Sequence, residues 1–217
     1  MHVLVMAKAP VPGRVKTRLC PPCTPEEAAV IAEAALADTL EAVSRCGADR
    51  RIVALDGELG PWLPAGFEVV TQRGRGLAER LGAAWHDAGS AGFQIGMDTP
   101  QLTATDLDDA LARLDRPGRA PAVLGPAQDG GWWGVGMARP HPDAFAGVPM
   151  STSGTGAAQR ARLEALGMDV DLLAEGRDID TIDDLLAVSR LMGRGRTPEL
   201  VTSLTHLRAG ASAGGRG

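Results

Sequence analysis

The sequence predicts a single Rossmann-like α/β domain, a three-layer α/β/α arrangement around a mostly parallel central sheet. Three observations carry that expectation. Short β-branched apolar runs alternate with longer helical stretches along most of the chain, the pattern of parallel strands joined by crossover helices. No Gly- or Ser-rich linker and no internal repeat divides the sequence, and 217 residues suffice for one well-buried core. Charged residues gather in loops just after the apolar runs, at the strand ends where open α/β sheets bind ligands.

The elements follow in order. HVLVM at the start has the length and β-branched content of a buried strand, and Pro10, Pro12 and Gly13 forbid its continuation. The stretch AKAPVPGRVKTRL, residues 7–19, is therefore a loop at that strand's carboxyl end, carrying Lys8, Arg14, Lys16 and Arg18. Cys20-Pro-Pro-Cys23 has the spacing of a redox or zinc pair. No strand directly precedes it, however, and His2, His86, His141 and His206 stand in no matching spacing, so a proline-stiffened turn is expected. Thr24-Pro-Glu-Glu27 is a capping box that opens an Ala-rich helix running to about Ser44 and closed by Gly47. RIVAL (51–55) and FEVV (67–70) read as strands, and QRGRGLAERLGAAWHDAG as a glycine-rich loop entering a helix that ends near Gly89. FQIGM (93–97) is the next strand and delivers Asp98 at its end. A capped helix is expected over 103–114, strands over 121–127 and 132–137, and helices over 155–166 and 181–192. From Gly193 onward the composition turns to Gly, Arg, Ser and Ala, which predicts a domain of residues 1–192 and a flexible tail of 193–217.

Composition narrows the function. The 22 basic and 27 acidic residues give a net charge of −5, against a general nucleic-acid-binding surface. The N-terminal apolar segment is too short for a secretory signal, and no run approaches a membrane span. Three cysteines suit a reducing compartment better than a disulfide framework, and a cytoplasmic location is the expectation.

Five stretches can carry chemistry. In the first loop Gly13 permits close backbone approach, and Lys16 and Arg18 supply positive charge for phosphates, although the glycine spacing is not that of a GxxxxGK[ST] loop. GMDTP, residues 96–100, puts the Asp98 carboxylate at a strand end, where it either holds a hard divalent cation against phosphate or caps a turn. GPAQDGGWWGVG, residues 125–136, makes a tight turn at Asp129-Gly130-Gly131, followed by two tryptophans that point opposite ways if extended, so that at most one lines a site. STSGT, residues 151–155, either holds phosphate or sugar oxygens or caps a helix, capping being the first expectation. In DIDTIDDL, residues 178–185, Asp178 and Asp180 share a face if extended, and a second carboxylate near Asp98 would complete a metal site.

In this order AKAPVPGRVKTRL, GMDTP, GPAQDGGWW, MSTSGT and DIDTIDDL resemble the bacterial DUF2064, or glycosyltransferase-like, group of the nucleotide-diphospho-sugar transferase superfamily. More distantly they resemble the guanylyltransferases of cofactor F420 synthesis, which carry a KTRL-like segment. The likeness covers roughly residues 3 to 190. It implies the nucleotide-diphospho-sugar transferase fold, with nucleotide held over the first strand's loop. By position it implies phosphate contacts from Lys8, Gly13, Lys16 and Arg18, a Mg²⁺ or Mn²⁺ ion on Asp98 and Asp180 with Asp178 as substitute, and an acceptor pocket bordered by Asp129, Gly130, Gly131, Trp132, Ser151 and Thr152. The chain departs from the glycosyltransferase Asp-x-Asp pair, reading Asp98-Thr99-Pro100, and from the glycine-rich first loop of the sugar nucleotidylyltransferases.

The expected activity is a metal-dependent transfer of a nucleotidylyl group from a nucleoside triphosphate to a small phosphate- or carboxylate-bearing acceptor, with Lys16, Arg18 and Asp98 as catalytic residues. The number of loop cations favours a triphosphate over a sugar diphosphate, and no residue stands out as a base for a sugar hydroxyl. Glycosyl transfer from a nucleotide sugar is the alternative, and a non-catalytic nucleotide-binding protein is a third. Neither nucleic acid nor membrane is expected as a partner.

Overall fold

Capping boxes start three of the helices, as the sequence spacing requires. The computed structural model describes residues 1–116, 120–205 and 207. Helix α1 (Pro25–Arg45) is capped by Thr24 with Glu27, α3 (Ala104–Leu114) by Thr103 with Asp106, and α5 (Ile182–Met192) by Thr181 with Asp184. In each, the cap hydroxyl accepts from the N3 amide while the N3 carboxylate accepts from the cap amide, satisfying donors a helix leaves free. Helix α2 (Leu77–Ala88) closes on Gly89 in the left-handed conformation.

The strands β1 (His2–Lys8), β2 (Arg50–Asp56), β3 (Glu68–Thr71), β4 (Gly92–Gly96), β5 (Pro121–Pro126), β6 (Trp132–Met137) and β7 (Asp169–Leu172) form one sheet of order β3-β2-β1-β4-β6-β5-β7. Pairing is parallel except that β6 runs antiparallel to both β4 and β5. The central strands are buried on both faces, which is why they read as continuous apolar runs. One face packs Val3, Val5, Val53, Phe93 and Ile95 against α1 and α3. The other packs Leu4, Met6, Ile52 and Val135 against α2 and α4 (Thr155–Ala165). Three layers result, the α/β/α arrangement around a mostly parallel central sheet that the sequence predicts.

Three described elements are absent from the sequence expectation, the first a single 3-10 turn at Thr17–Leu19 in the first loop. Strand β7, DVDL, is a short polar edge strand without an apolar run. The expected tail meets a correction: residues Arg196–Ser203 form helix α6, with Pro198 and Val201 buried against α1 and α5. The Asp38 carboxylate of α1 accepts from the Arg196 and Thr197 amides at 2.9 and 2.8 Å, satisfying the helix start from across the core. No local sequence signal announces a cap 158 residues away. Residues 206 and 208–217 of that expected tail lie outside the described residues. Among the described residues, no helix is long and apolar enough to cross a membrane.

Candidate active site

Sheet order decides where the motifs meet. Because β1 lies between β2 and β4, the chain leaves β1 at a switch point, and the loops after β1 and β4 are neighbours at the carboxyl edge. The antiparallel β6 begins at that same edge, and the loop after β7 returns to it. A cavity of about 650 Å³ opens there, lined by Lys8, Arg18, Asp56, Gln72, Arg80, Gln94, Asp98, Asp129, Trp132, Ser151, Thr152, Asp178 and Asp180 among others. A smaller recess of about 240 Å³ shares its rim and is walled by Arg14, Lys16 and Arg18 of the first loop.

The first loop is held by its own lysine. Lys16 adopts a left-handed backbone at φ 48, ψ 34, which a non-glycine residue keeps only when its surroundings demand it. Its ammonium, only 7% exposed, pairs with Asp98 Oδ1 at 2.6 Å and donates to the Ile179 carbonyl. The Ile179 amide in turn donates to the Asp98 carbonyl at 2.9 Å. Lys16 and Ile179 thus tie the β1 loop, the β4 end and the segment after β7 into one unit. Arg18 pairs with Asp180 at 2.8 Å on the exposed side. Lys8 and Arg80 approach Asp56 at 3.9 and 3.6 Å.

Asp178 differs from its neighbours. Burial, reinforced by Asp98, Asp129 and Asp180 and opposed by Lys16, pushes its carboxyl up to about 7. Its Oδ1 is buried without a hydrogen-bond partner. Asp180, by contrast, is engaged by Arg18. Among the described residues, no set of three or more His, Cys, Asp or Glu is gathered closely enough to bind a metal by itself.

The turn at 129–131 is locked onto the start of α4. Gly130 has φ +85, and a Cβ there would lie 2.1 Å from the Ser153 carbonyl oxygen, so only glycine fits. The Asp129 carboxylate accepts from the Gly131 amide at 2.8 Å, and the Gly156 amide donates to the Gly130 carbonyl at 2.9 Å. The hydroxyls of 151–155 do not cap α4 with a side chain; Gly154 is its cap residue. Thr155 instead bonds the Pro149 carbonyl at 2.8 Å, and Ser151, Thr152, Ser153 and Thr155 all line the cavity.

Lys8, Arg18, Asp98, Asp129, Gly131, Trp132, Ser151, Thr152 and Asp180 all border the cavity, with Lys16 beside them in the recess. Gly13 and Gly130 are not in either wall: Gly13 sits at a turn with φ +73, and Gly130 serves packing. Trp132 and Trp133 do leave the sheet on opposite faces, Trp132 toward Phe145 and Trp133 edge-on to Phe93. Yet both residues line the cavity, which lies across the sheet's end. Cys20, Cys23 and Cys46 are free thiols, and 20–23 forms the turn into α1. Asp56, Gln72, Gln94 and Arg80 are lining residues that the sequence did not single out. Asp56 ends a strand just as Asp98 follows one, the one signal that points to it.

A protein-family model described as DUF2064, an uncharacterized protein conserved in bacteria, matches residues 29–152. The chain belongs to that family. No curated protein matches the sequence. Among solved structures, the DUF2064 chain is similar to a Desulfovibrio desulfuricans G20 protein named, provisionally, as a nucleotide-diphospho-sugar transferase, at 24% identity, 95% coverage of each chain and TM-score 0.86. It is also similar to a nucleotidyl transferase of Methanothermobacter, at 17% identity over 87% of this chain and 95% of that one, TM-score 0.56. A manganese complex of Rv0371c from Mycobacterium tuberculosis H37Rv is 20% identical over 89% of this chain and 97% of that one, TM-score 0.50. At such identities the likeness establishes the fold.

Proposed function

We propose that the protein transfers a nucleotidylyl group from a nucleoside triphosphate to a small acceptor bearing a phosphate or carboxylate. The observation that carries this reading is the gathering of loop cations and strand-end carboxylates around one cavity at the switch point of the sheet. In the reaction an acceptor oxygen attacks the α-phosphorus, the bond to the β-phosphate oxygen breaks, and pyrophosphate leaves. Lys8 and Arg18 bind the phosphate chain from the β1 loop, and Lys16 holds Asp98 in register with them. The names of the similar nucleotidyl transferase and of the provisional nucleotide-diphospho-sugar transferase support nucleotide chemistry on this fold.

Charge supports a divalent cation. Around the cavity and its recess, Asp56, Asp98, Asp129, Asp178 and Asp180 match Lys8, Arg14, Lys16, Arg18 and Arg80 in number, so the described lining offers a polyanionic triphosphate no net counter-charge. The donor set fits Mg²⁺ or Mn²⁺: hard carboxylate oxygens, one of them the unpartnered Asp178 Oδ1, suit an ion that takes one or two carboxylates and completes its shell with phosphate and water. Asp98 and Asp178 would hold it, with Asp180 available once Arg18 turns to phosphate. When bound, the ion would neutralise charge on the α-phosphate. The manganese complex of the similar Rv0371c supports the choice.

The test is a thermal-shift panel of nucleoside triphosphates and nucleotide sugars, each with and without Mg²⁺ or Mn²⁺. One triphosphate is expected to raise the melting temperature only with metal, a ligand at 100 times its Kd adding about 2.7 kcal/mol of stability. Asp98→Asn is expected to abolish the metal-dependent part. A shift confined to nucleotide sugars would transfer the assignment to glycosyl transfer, a metal-independent nucleotide shift without turnover would favour a non-catalytic binder, and no shift would reject nucleotide use.

A further inference from the structure

A second groove, of about 640 Å³, runs between α3 and α5, and Trp133 lines both it and the strand-end cavity. Gln101, Gln128 and Arg177 line this groove, and none of them borders the cavity. Each nevertheless stands close in sequence to a cavity carboxylate: Gln101 shortly after Asp98, Gln128 next to Asp129, and Arg177 next to Asp178.

These residues join in one run of hydrogen bonds. Gln101 Nε2 donates to the Arg177 carbonyl at 2.7 Å, Arg177 Nε donates to Gln128 Oε1 at 2.7 Å, and the Gln128 amide donates back to the Gly176 carbonyl at 3.0 Å. Arg177 also lies 3.4 Å from Asp184 Oδ1, which fastens the run to the capped start of α5. The Gly176 amide donates to the Pro126 carbonyl and the Ile179 amide to the Asp98 carbonyl, each at 2.9 Å. Residues 176, 177 and 179 are thus tied to the ends of β4 and β5, while Asp178 between them keeps Oδ1 without a partner.

Repulsion is what such a brace opposes. Burial first, and then the charges of Asp98 and Asp129, raise the Asp178 carboxyl, so these carboxylates disfavour one another's charged forms. They stand in loops after three different strands, β4, β5 and β7, and no bond within a single loop can set their separation. Bonds made from the groove side fix the three loops together and leave Asp178 Oδ1 unengaged.

We propose that Arg177, with Gln101 and Gln128, is a positioning device that holds the loops bearing Asp98, Asp129 and Asp178 in register for a divalent cation before the cation arrives. None of the three touches the reacting groups; they act through the carboxylates. The inference rests on the divalent-cation part of the proposed function.

Mn²⁺ titrated into the full chain, with the free ion followed by electron paramagnetic resonance, reads the effect without turnover. The native protein is expected to bind Mn²⁺, and Asp98→Asn to lose it. Arg177→Met and Gln101→Met are each expected to weaken Mn²⁺ binding about ten-fold or more. Gln128→Leu is expected to weaken it about five-fold, whereas Gln128→Glu, which keeps the acceptor for Arg177, is expected to bind at least as tightly as the native chain. Arg113 lines the same groove but pairs with Asp109 and Asp171, outside the brace. Arg113→Ala is therefore expected to stay within about two-fold of the native affinity. Each titration is run well below the melting temperature of its variant, so that lost affinity is not lost fold. Equal affinity in the native chain and Arg177→Met would overturn the brace and leave the cation reading standing. A loss in Arg113→Ala as large as in Arg177→Met, or in Gln128→Glu as large as in Gln128→Leu, would also overturn it. A native chain that binds no Mn²⁺ would overturn the brace and the cation reading together.

Discussion

Lys16 is a structural latch between the first loop, Asp98 and the segment after β7. Its ammonium is nearly buried between Asp98 and the Ile179 carbonyl, and truncation leaves both acceptors short of a donor. Lys16→Ala is therefore expected to weaken triphosphate binding more than ten-fold, about 1.4 kcal/mol, and also to lower stability by about 1 kcal/mol, Asp98 being partly solvated. Arg18→Ala, which breaks an exposed pair, is expected to weaken binding with stability unchanged. Calorimetry and chemical denaturation on the two variants separate the roles, and an unperturbed denaturation midpoint for Lys16→Ala would remove the latch.

His2 offers a test of the core by pH. Burial, with Arg50 and the N-terminal ammonium, lowers its pKa from 6.5 to about 4; the Ala91 backbone and Glu68 oppose the shift. The ring packs edge-on against Trp85, Nδ1 lies 3.1 Å from Ser90 Oγ, and Nε2 is buried without a partner. The folded state holds the ring neutral where the unfolded chain would protonate it. Its contribution is full above pH 6.5 and is lost as pH falls toward 4, on the order of 2 kcal/mol. Melting temperature followed from pH 7 to 4 should fall more steeply for the native protein than for His2→Leu, and parallel curves would place the acid sensitivity elsewhere.

At the scale of elements, α6 and the turn at 129–131 show long-range contacts finishing what local signals begin. Asp38→Ala removes the carboxylate that receives two amides at the start of α6, at a cost of about 1–2 kcal/mol. Deleting residues 196–217 exposes the α1 and α5 surface that Val201 covers, and is expected to destabilise by more than Asp38→Ala does. Denaturant midpoints for the two variants give the comparison; a truncated chain as stable as the native one would make α6 dispensable. The capping boxes of α1, α3 and α5 were legible because each is contained in four residues. The cap of α6 was not, because its acceptor lies on another helix. Likewise 151–155 held the hydroxyls of a cap, but Gly154 is the cap residue, and Ser151, Thr152, Ser153 and Thr155 line the cavity instead.

Across the whole molecule, a chain of net charge −5 concentrates cations in one loop and then faces them with carboxylates from the ends of β2 and β4 and from the segments after β5 and β7. The ion pairs Lys16–Asp98 and Arg18–Asp180 partly neutralise the site internally. On the proposed reading, an entering phosphate would exchange with these carboxylates, and a divalent cation would let both remain.

Period, punctuation and caps in the sequence were enough to determine a three-layer α/β domain, most strand positions, and the motifs at strand ends, because these depend on interactions a few residues apart. Which motifs meet was decided by tertiary structure alone. Strand order brings Asp178 beside Asp98 and pulls Asp56 and Arg80 into the wall. Neighbours across a sheet are set by the order in which strands pair, and that order minimises the apolar surface of the whole fold rather than satisfying any one segment.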